Sequence, residues 1–311
     1  MRLITYSELR TLFQCPKQHD FRYNRGLRPR RKSTALGESS KAHDAVEIFY
    51  KGGTPEEAIK VFDDVDDETL LDSRPEAQQK FMRMKALLTA YFQTRGKWDR
   101  DQYEFTHVEK EFNIPIDFEG IGTVEGVNFA GKIDGIWKSK DRNLLQVVEH
   151  KFLAQFSENR NTLMMDLQVS LYAVAAREVF GVKVPVTLYN VVKKPAHRLK
   201  QGEHLDEFYE RVLGEVLKAP DKYFLRLPVT RGKKDFDEAK KVLVHGARIL
   251  SGETPLPFTY RNVGMSCTMG CSYLDICMDE SPGLVDHLFE VTKDRHQELQ
   301  QEDIILKGGS K

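Results

Sequence analysis

A mixed α/β fold, with one central sheet flanked by helices, is what this sequence predicts, and three observations carry it. The first hundred residues repeat their apolar positions at helical spacing. From Tyr103 to about Val148 the pattern switches to alternation, in three runs separated by turn residues. Beyond that point helical and strand-like stretches alternate, which places one sheet between helices.

The elements follow in order. Ser7 is placed to cap a short helix through Phe13, and residues 39–50 put Ala42, Val46 and Phe49 on one helical face. Pro55 suits the first turn of the next helix. Residues 76–95 form a longer one, with Phe81, Leu87, Leu88, Tyr91 and Phe92 as core positions, and the acidic stretch 63–72 lies on the surface between them. The strands are EFTHVEKEFNIPI, GTVEGVNFAGKIDGIWK and NLLQVVEHK, an antiparallel meander whose last turn is Asp141-Arg142-Asn143. A helix over 162–180, a strand over 185–193, a helix over 204–218, a short strand near 222–229 and a helix over 235–250 complete the body. The expected organisation is one domain over 1–294: a helical region to about 100, a core over about 101–230 and a cysteine region over about 235–280 that also takes Cys15. A polar tail, 295–311, follows.

The 311 residues suffice for a core without disulfide staples. Lys+Arg and Asp+Glu are 47 each, so a globally basic, histone-like mode of nucleic-acid binding is excluded, whereas a local basic groove is not. No run of 18 apolar residues reads as a membrane span, and MRLITYSELR lacks the apolar core of a signal peptide. The expectation is a cytoplasmic protein in a reducing compartment with no membrane partner, where four cysteines need an explanation other than disulfides.

The strongest chemical signal spans residues 131–151. GKIDG places Asp134 late in one strand, and VVEHK places Glu149 and Lys151 at the end of the next, two apart and so on one face. Two carboxylates can hold a hard divalent cation, which suits phosphodiester hydrolysis, and a lysine beside them can orient water or stabilise developing negative charge. Taken alone, E-x-K equally describes an ion pair at a strand end. His43 lies mid-helix, with Glu47 one turn on, and reads as a metal ligand, a phosphate contact or a half-buried helical residue. Gln168 and Tyr172 share a face of the following helix, in a site or in ordinary packing.

As an ordered set, His43, Asp134, Glu149-His150-Lys151 and Gln168-x-x-x-Tyr172 resemble the PD-(D/E)XK nuclease superfamily, specifically its RecB-like branch. The resemblance covers roughly residues 35–175. One departure is Ser39, which stands where the family's G-x-x-x-H has glycine, with Gly37 two residues earlier. The resemblance implies a restriction-endonuclease-like core and Mg²⁺ or Mn²⁺ held by His43, Asp134, Glu149 and the backbone carbonyl of His150. It also implies catalytic roles for Asp134, Glu149, Lys151, Gln168 and Tyr172.

Three of the four cysteines, Cys267, Cys271 and Cys277, crowd into eleven residues, and Cys15 stands far upstream. Such spacing suits a tetrahedral metal or an iron–sulfur cluster. One cysteine before the core and three after it resembles the AddB-type, CRISPR-associated and exonuclease V nucleases. This implies a [4Fe–4S] cluster that clasps the N-terminal helices to the core. The downstream spacing here is C-x3-C-x5-C against the usual C-x2-C-x5-C, and zinc stands as the alternative.

Two basic runs offer contacts to nucleic acid. Arg22, Arg25, Arg28, Arg30 and Arg31 can track phosphates, with Tyr23 as a stacking platform. Lys193, Lys194, His197, Arg198 and Lys200 form the second, and either run also reads as a solvated loop. No Walker A motif is present, so any helicase or recombination motor would be a partner. The leading expectation is a metal-dependent DNA exonuclease acting on single-stranded ends in recombination, repair or replication. The alternatives are a CRISPR spacer-processing nuclease of the same fold and a non-catalytic DNA-end-binding module with a structural metal.

Overall fold

The computed structural model describes residues 1–31, 34–63, 74–156, 160–183, 186–255, 259–296, 299 and 305–306. The acidic stretch expected on the surface, Asp63 apart, lies outside the described residues, as does most of the tail from 297 onward.

The chain opens with a three-residue strand, β1 (Arg2–Ile4), then α1 (Tyr6–Gln14), α2 (Pro16–His19) and a second short strand, β2 (Leu27–Pro29). Thr5, not Ser7, caps α1: its hydroxyl accepts the Glu8 N–H at 3.3 Å, two residues before the position expected from sequence. Helices α3 (Thr34–Tyr50), α4 (Pro55–Ile59), α5 (Arg74–Tyr91) and α6 (Lys97–Gln102) follow. A capping box between Thr54 and Glu57 starts α4, with Pro55 in its first turn. One wide turn, Phe92–Gly96, joins α5 to α6 and extends the helical run past the expected end.

The sheet then builds in sequence: β3 (Tyr103–Phe118), β4 (Gly122–Ser139) and β5 (Leu145–Leu153), each antiparallel to the last. The turn before β5 closes with Asn143 in the left-handed region at φ 55°, a conformation asparagine tolerates. The helix expected over 162–180 is two, α7 (Arg160–Met165) and α8 (Leu167–Phe180), because Asp166 leaves the helical path to cap α8. The chain crosses over α8 into β6 (Val186–Lys193), which runs parallel to β5. Then come α9 (Leu205–Lys218), the antiparallel β7 (Phe224–Thr230) and α10 (Lys233–Ser251).

Helices α11 (Met265–Thr268), α12 (Leu274–Met278) and α13 (Pro282–Leu288) lead to β8 (Phe289–Val291) and β9 (Ile305–Leu306). Among the described residues the main sheet has the order β7-β6-β5-β4-β3-β9, with β1 parallel to the far part of β4. The observed class is the expected one, a mixed sheet between helices.

The two faces of β5 show how the layers are held. Val148 joins a core formed with α3, α4, α5 and α9, while its neighbour Val147 joins a second core with α1, α8 and α10. A strand buried on both faces reads as the continuous apolar run seen before Glu149. A third, small core unites the chain ends: Phe21 and Leu27 pack with Tyr273, Ile276, Val285 and Phe289, with Cys271 and Cys277 against them. There β2 pairs antiparallel with β8. Single-sequence reading missed β1, β2 and β8, since strands of three residues carry too few alternations to register.

Candidate active site

The site forms where β4 and β5 part. Their pairing ends at Gly135↔Val148, so Asp134 and Glu149 stand across from each other just beyond the last paired residues. The Asp134 carboxylate takes the N–H of His150 at 2.7 Å, supplying the partner that strand divergence removes from that donor. On its other side, Glu109 lies between the pairs Val108↔Gly135 and Lys110↔Ile133, and so across from Asp134. Three carboxylates from three adjacent strands thus share one register row. Glu109 holds a positive φ of 49°, which costs free energy for a side-chain-bearing residue and occurs here within the site.

His43 reaches this row from α3. Its Nδ1 lies 3.8 Å from Asp134 Oδ2 and 3.9 Å from Glu109 Oε1. Its ring is set edge-on to Phe152. Among the described residues, His43, Glu109 and Asp134 are the one group of three candidate metal ligands mutually within 4.8 Å. Two hard carboxylates with an imidazole form a donor set that fits a divalent cation such as Mg²⁺ or Mn²⁺.

The electrostatics agree with a cation site. Burial, and then the nearby Glu149 carboxylate, push Asp134 well above the usual carboxylate range, against the pull of His43. Burial alone would lower His43, but Asp134 and Glu109 outweigh it and raise its basicity. Burial would raise Glu109, but the neighbouring His43 and the charge of Lys132 bring it down; Lys132 Nζ is 2.7 Å from its Oε2. A crowd of buried acids that cannot all ionise is relieved by a dication.

Lys151 projects on the same face as Glu149. Its Nζ donates to Glu149 Oε1 at 2.7 Å and to Gln168 Oε1 at 3.2 Å. Burial would lower this ammonium, but the Glu149 carboxylate outweighs it, so Lys151 stays charged. Gln168 is aimed by its own cap. Asp166 accepts the Gln168 N–H at 3.0 Å and is itself held by the hydroxyls of Tyr6 at 3.0 Å and Tyr189 at 3.2 Å.

His150 turns its side chain to the opposite face. There its Nδ1 meets the Asn190 amide at 2.7 Å, and the amide continues to the Tyr91 hydroxyl at 2.6 Å. Beyond it lies the buried pair Asp99–Arg226. Burial, and then the charge of His43, keep this imidazole neutral.

Not every residue singled out in the sequence arrives at the site. Tyr172 packs its ring edge-on against Phe112, with ring centroids 5.5 Å apart, and belongs to the core under β3 and β4. The N-terminal basic run is a correction. Tyr23 is 1 % exposed, between the rings of His19 and His296, so its face is not open to a base. Arg25 pairs with Glu280, Arg28 donates to the carbonyls of Arg22 and Arg295, and Arg30 donates to that of Asp286. Arg22 lies over the Tyr23 ring, and of the five Arg30 and Arg31 are exposed. Arg25, Arg28 and Arg30 are used to bind the C-terminal segment, where a carboxylate and carbonyls of the chain stand in for phosphates. In the second run, Lys194 is tied to the buried Glu38 at 2.9 Å and His197 to Glu215.

Glu109 and Lys132 were missed in the sequence. The signal available was the charge at position 109 within an otherwise strand-like run, but it becomes meaningful only once β3 is placed in register with β4.

The four cysteines converge. Burial raises the thiols of Cys271 and Cys277, and for each of them Cys15 and Cys267 lie close enough to act electrostatically. As a set the four sulfurs stand farther apart than the 4.8 Å that marks the acidic site. The surrounding protein already closes this region: the Tyr273 hydroxyl donates to the Leu27 carbonyl at 3.0 Å, and Lys17 meets Glu280 at 2.7 Å.

Among the described residues no helix is long and apolar enough to cross a membrane. The family model described as the PD-(D/E)XK nuclease superfamily matches residues 3–278. A search of the curated proteins returns no match.

Proposed function

The chain belongs to the PD-(D/E)XK nuclease superfamily, and from that premise we propose that it is a metal-dependent DNA exonuclease of the RecB-like branch, working on single-stranded ends in recombination, repair or replication. The observation that carries the reading is the row Glu109–Asp134–Glu149 with His43 above it and Lys151 beside it. His43, Glu109, Asp134 and Glu149 would hold Mg²⁺ or Mn²⁺, with the His150 carbonyl as a further oxygen. Bound there, the cation neutralises phosphate charge and lowers the pKa of a water. Lys151, kept charged by Glu149 and steadied by Gln168, sits where it orients the attacking water and balances charge on the phosphate.

Cys15, Cys267, Cys271 and Cys277 would hold a [4Fe–4S] cluster. Four thiolates also suit a tetrahedral zinc, which is the alternative occupant. Such a cluster would reinforce the joint between the chain ends and leave the chemistry to the acidic row. A helicase or recombination partner would supply the opened strand, and a reducing cytoplasm fits four free thiols.

The test is digestion of end-labelled and circular single-stranded DNA with Mg²⁺, with Mn²⁺ and with chelator. Metal-dependent release of nucleotides from ends, abolished in Glu149→Ala, is the expected result. Rapid nicking of closed circles would overturn the exonuclease reading, and full activity in Glu149→Ala would overturn the nuclease reading altogether.

A further inference from the structure

With Arg25, Arg28 and Arg30 of the N-terminal run engaged by the chain's own C-terminal segment, the structure assigns a contact with the substrate's backbone to a different place. We propose that Lys193, with Arg198 beyond it, binds the phosphates next to the scissile one and so guides the strand across the end of the sheet. The proposal rests on the nuclease reading above and extends it to how the strand is held.

The register between β5 and β6 makes the argument. The two strands are parallel, with Glu149↔Tyr189, Lys151↔Val191 and Leu153↔Lys193 as partners. Partners across a parallel ladder, and residues two apart along a strand, point to one face. Glu149, Lys151 and Lys193 therefore share a face. Lys193 stands one strand over and two residues further on, about 8 Å from Lys151 at a strand spacing near 4.8 Å and a rise near 3.3 Å. At one charge per about 3.4 Å of a stacked strand, that gap is about two nucleotides.

Lys193 is also available. It is half-buried at the strand end, and among the described residues no carboxylate pairs with it; the same holds for the exposed Arg198. Lys194 differs, being neutralised by the buried Glu38 and bonded to Ser39 at 3.2 Å.

The loop that carries Arg198 is preorganised. The Lys194 N–H donates to the Leu153 carbonyl at 2.7 Å, which stitches the loop to β5 beyond Lys151. Arg83 donates to the His197 carbonyl at 3.2 Å, Gln79 accepts the Leu199 N–H at 2.6 Å, and Arg211 donates to the Arg198 carbonyl at 3.0 Å. Side chains of α5 and α9 thus hold an irregular backbone still, so little ordering cost remains when a phosphate arrives. A free cation on the catalytic face, followed by a second on a braced loop, is a track for a polyanion.

The experiment uses the full-length protein with a fluorescein-labelled 20-nucleotide single strand. Binding is followed by anisotropy across a salt series in Ca²⁺, and cleavage in Mg²⁺. Lys193→Ala is expected to weaken binding about tenfold, as loss of one charged contact does. The slope of log Kd against log salt should fall by about 0.7 for each phosphate contact removed, so Lys193→Ala with Arg198→Ala should lose about 1.4. The cleavage defect should appear in KM far more than in kcat, and Lys193→Arg should restore most of the binding. An unchanged salt slope and KM in the double variant would overturn the proposal. If the wild type cleaves no DNA, the nuclease reading fails, and the anisotropy series still decides whether this strip binds the strand.

Discussion

Replacing Asp134 by asparagine should make the metal-free protein more stable while destroying its activity. The substitution keeps the shape and the acceptor for the His150 N–H, held at 2.7 Å, and removes one carboxyl from a row of buried acids. Burial and Glu149 push Asp134 well above the usual range. For an acid raised in the folded state, the unfolded chain releases its proton first as pH rises. Folding stability then falls with pH from the ordinary Asp value near 3.9 until the folded group also ionises. At 1.36 kcal/mol per unit, the ceiling on this penalty is about 1.5 kcal/mol at pH 5 and about 4 kcal/mol at pH 7. Asparagine does not titrate and escapes it.

Part of the gain is offset, because Asp134 also supports the charged form of His43. With an unfolding entropy near 2.1 cal/mol/K per residue, 1 kcal/mol moves the melting point of a chain this long by about 1.5 °C. Thermal melts in EDTA should therefore place Asp134→Asn above wild type by roughly 2–5 °C at pH 7 and by about 2 °C or less at pH 5. Adding Mg²⁺ should close the gap by stabilising wild type alone. A variant that melts at or below wild type at pH 7, or a gap that does not widen with pH, would refute the like-charge account of this site.

Other outcomes follow from the same geometry. Glu109→Gln should weaken Mg²⁺ binding by at least about tenfold, read as a shifted metal titration of cleavage, because Lys132 loses its partner and the row loses a ligand. Asp166→Ala should cost about 1–2 kcal/mol of stability through the lost cap and the two stranded tyrosine hydroxyls, and kcat should fall as Gln168 drifts from Lys151. Cys271→Ser should abolish visible absorption and acid-labile sulfide in anaerobically purified protein; one zinc per chain and no iron in the wild type would contradict the cluster. Ile276→Ala should cost about 3 kcal/mol at a fully buried site and loosen the chain ends to limited proteolysis even where the cysteines are intact.

That last expectation marks a change from the sequence-level view of the cysteines. A cluster joining Cys15 to the C-terminal trio was expected to be the clasp. The structure adds a clasp made of protein, in which Phe21, Leu27, Tyr273, Ile276 and Phe289 pack together and β2 pairs with β8. A Cys15→Ser protein therefore retains its packing between the ends, and its loss of stability should fall short of a complete release.

The residues that act through chain-local geometry were legible without the fold. Glu149 and Lys151 share a face because a strand has a period of two, and the break from Val147-Val148 to Glu-His-Lys marked where the apolar run of the strand gives way to charge. The helix bearing Gln168 and the meander before it are also local facts of spacing and turn chemistry. What joins distant segments was decided only by tertiary structure. Glu109 became part of the site because β3 pairs with β4 in one register, and a slip of one residue would have turned it to the other face. Tyr23 and the arginines beside it bear the composition of a nucleic-acid contact, yet a guanidinium binds a carbonyl of its own chain by the same hydrogen bonds it offers a phosphate. Which acceptor it meets depends on where the C-terminal segment folds back, and no local pattern of residues 22–31 contains that information.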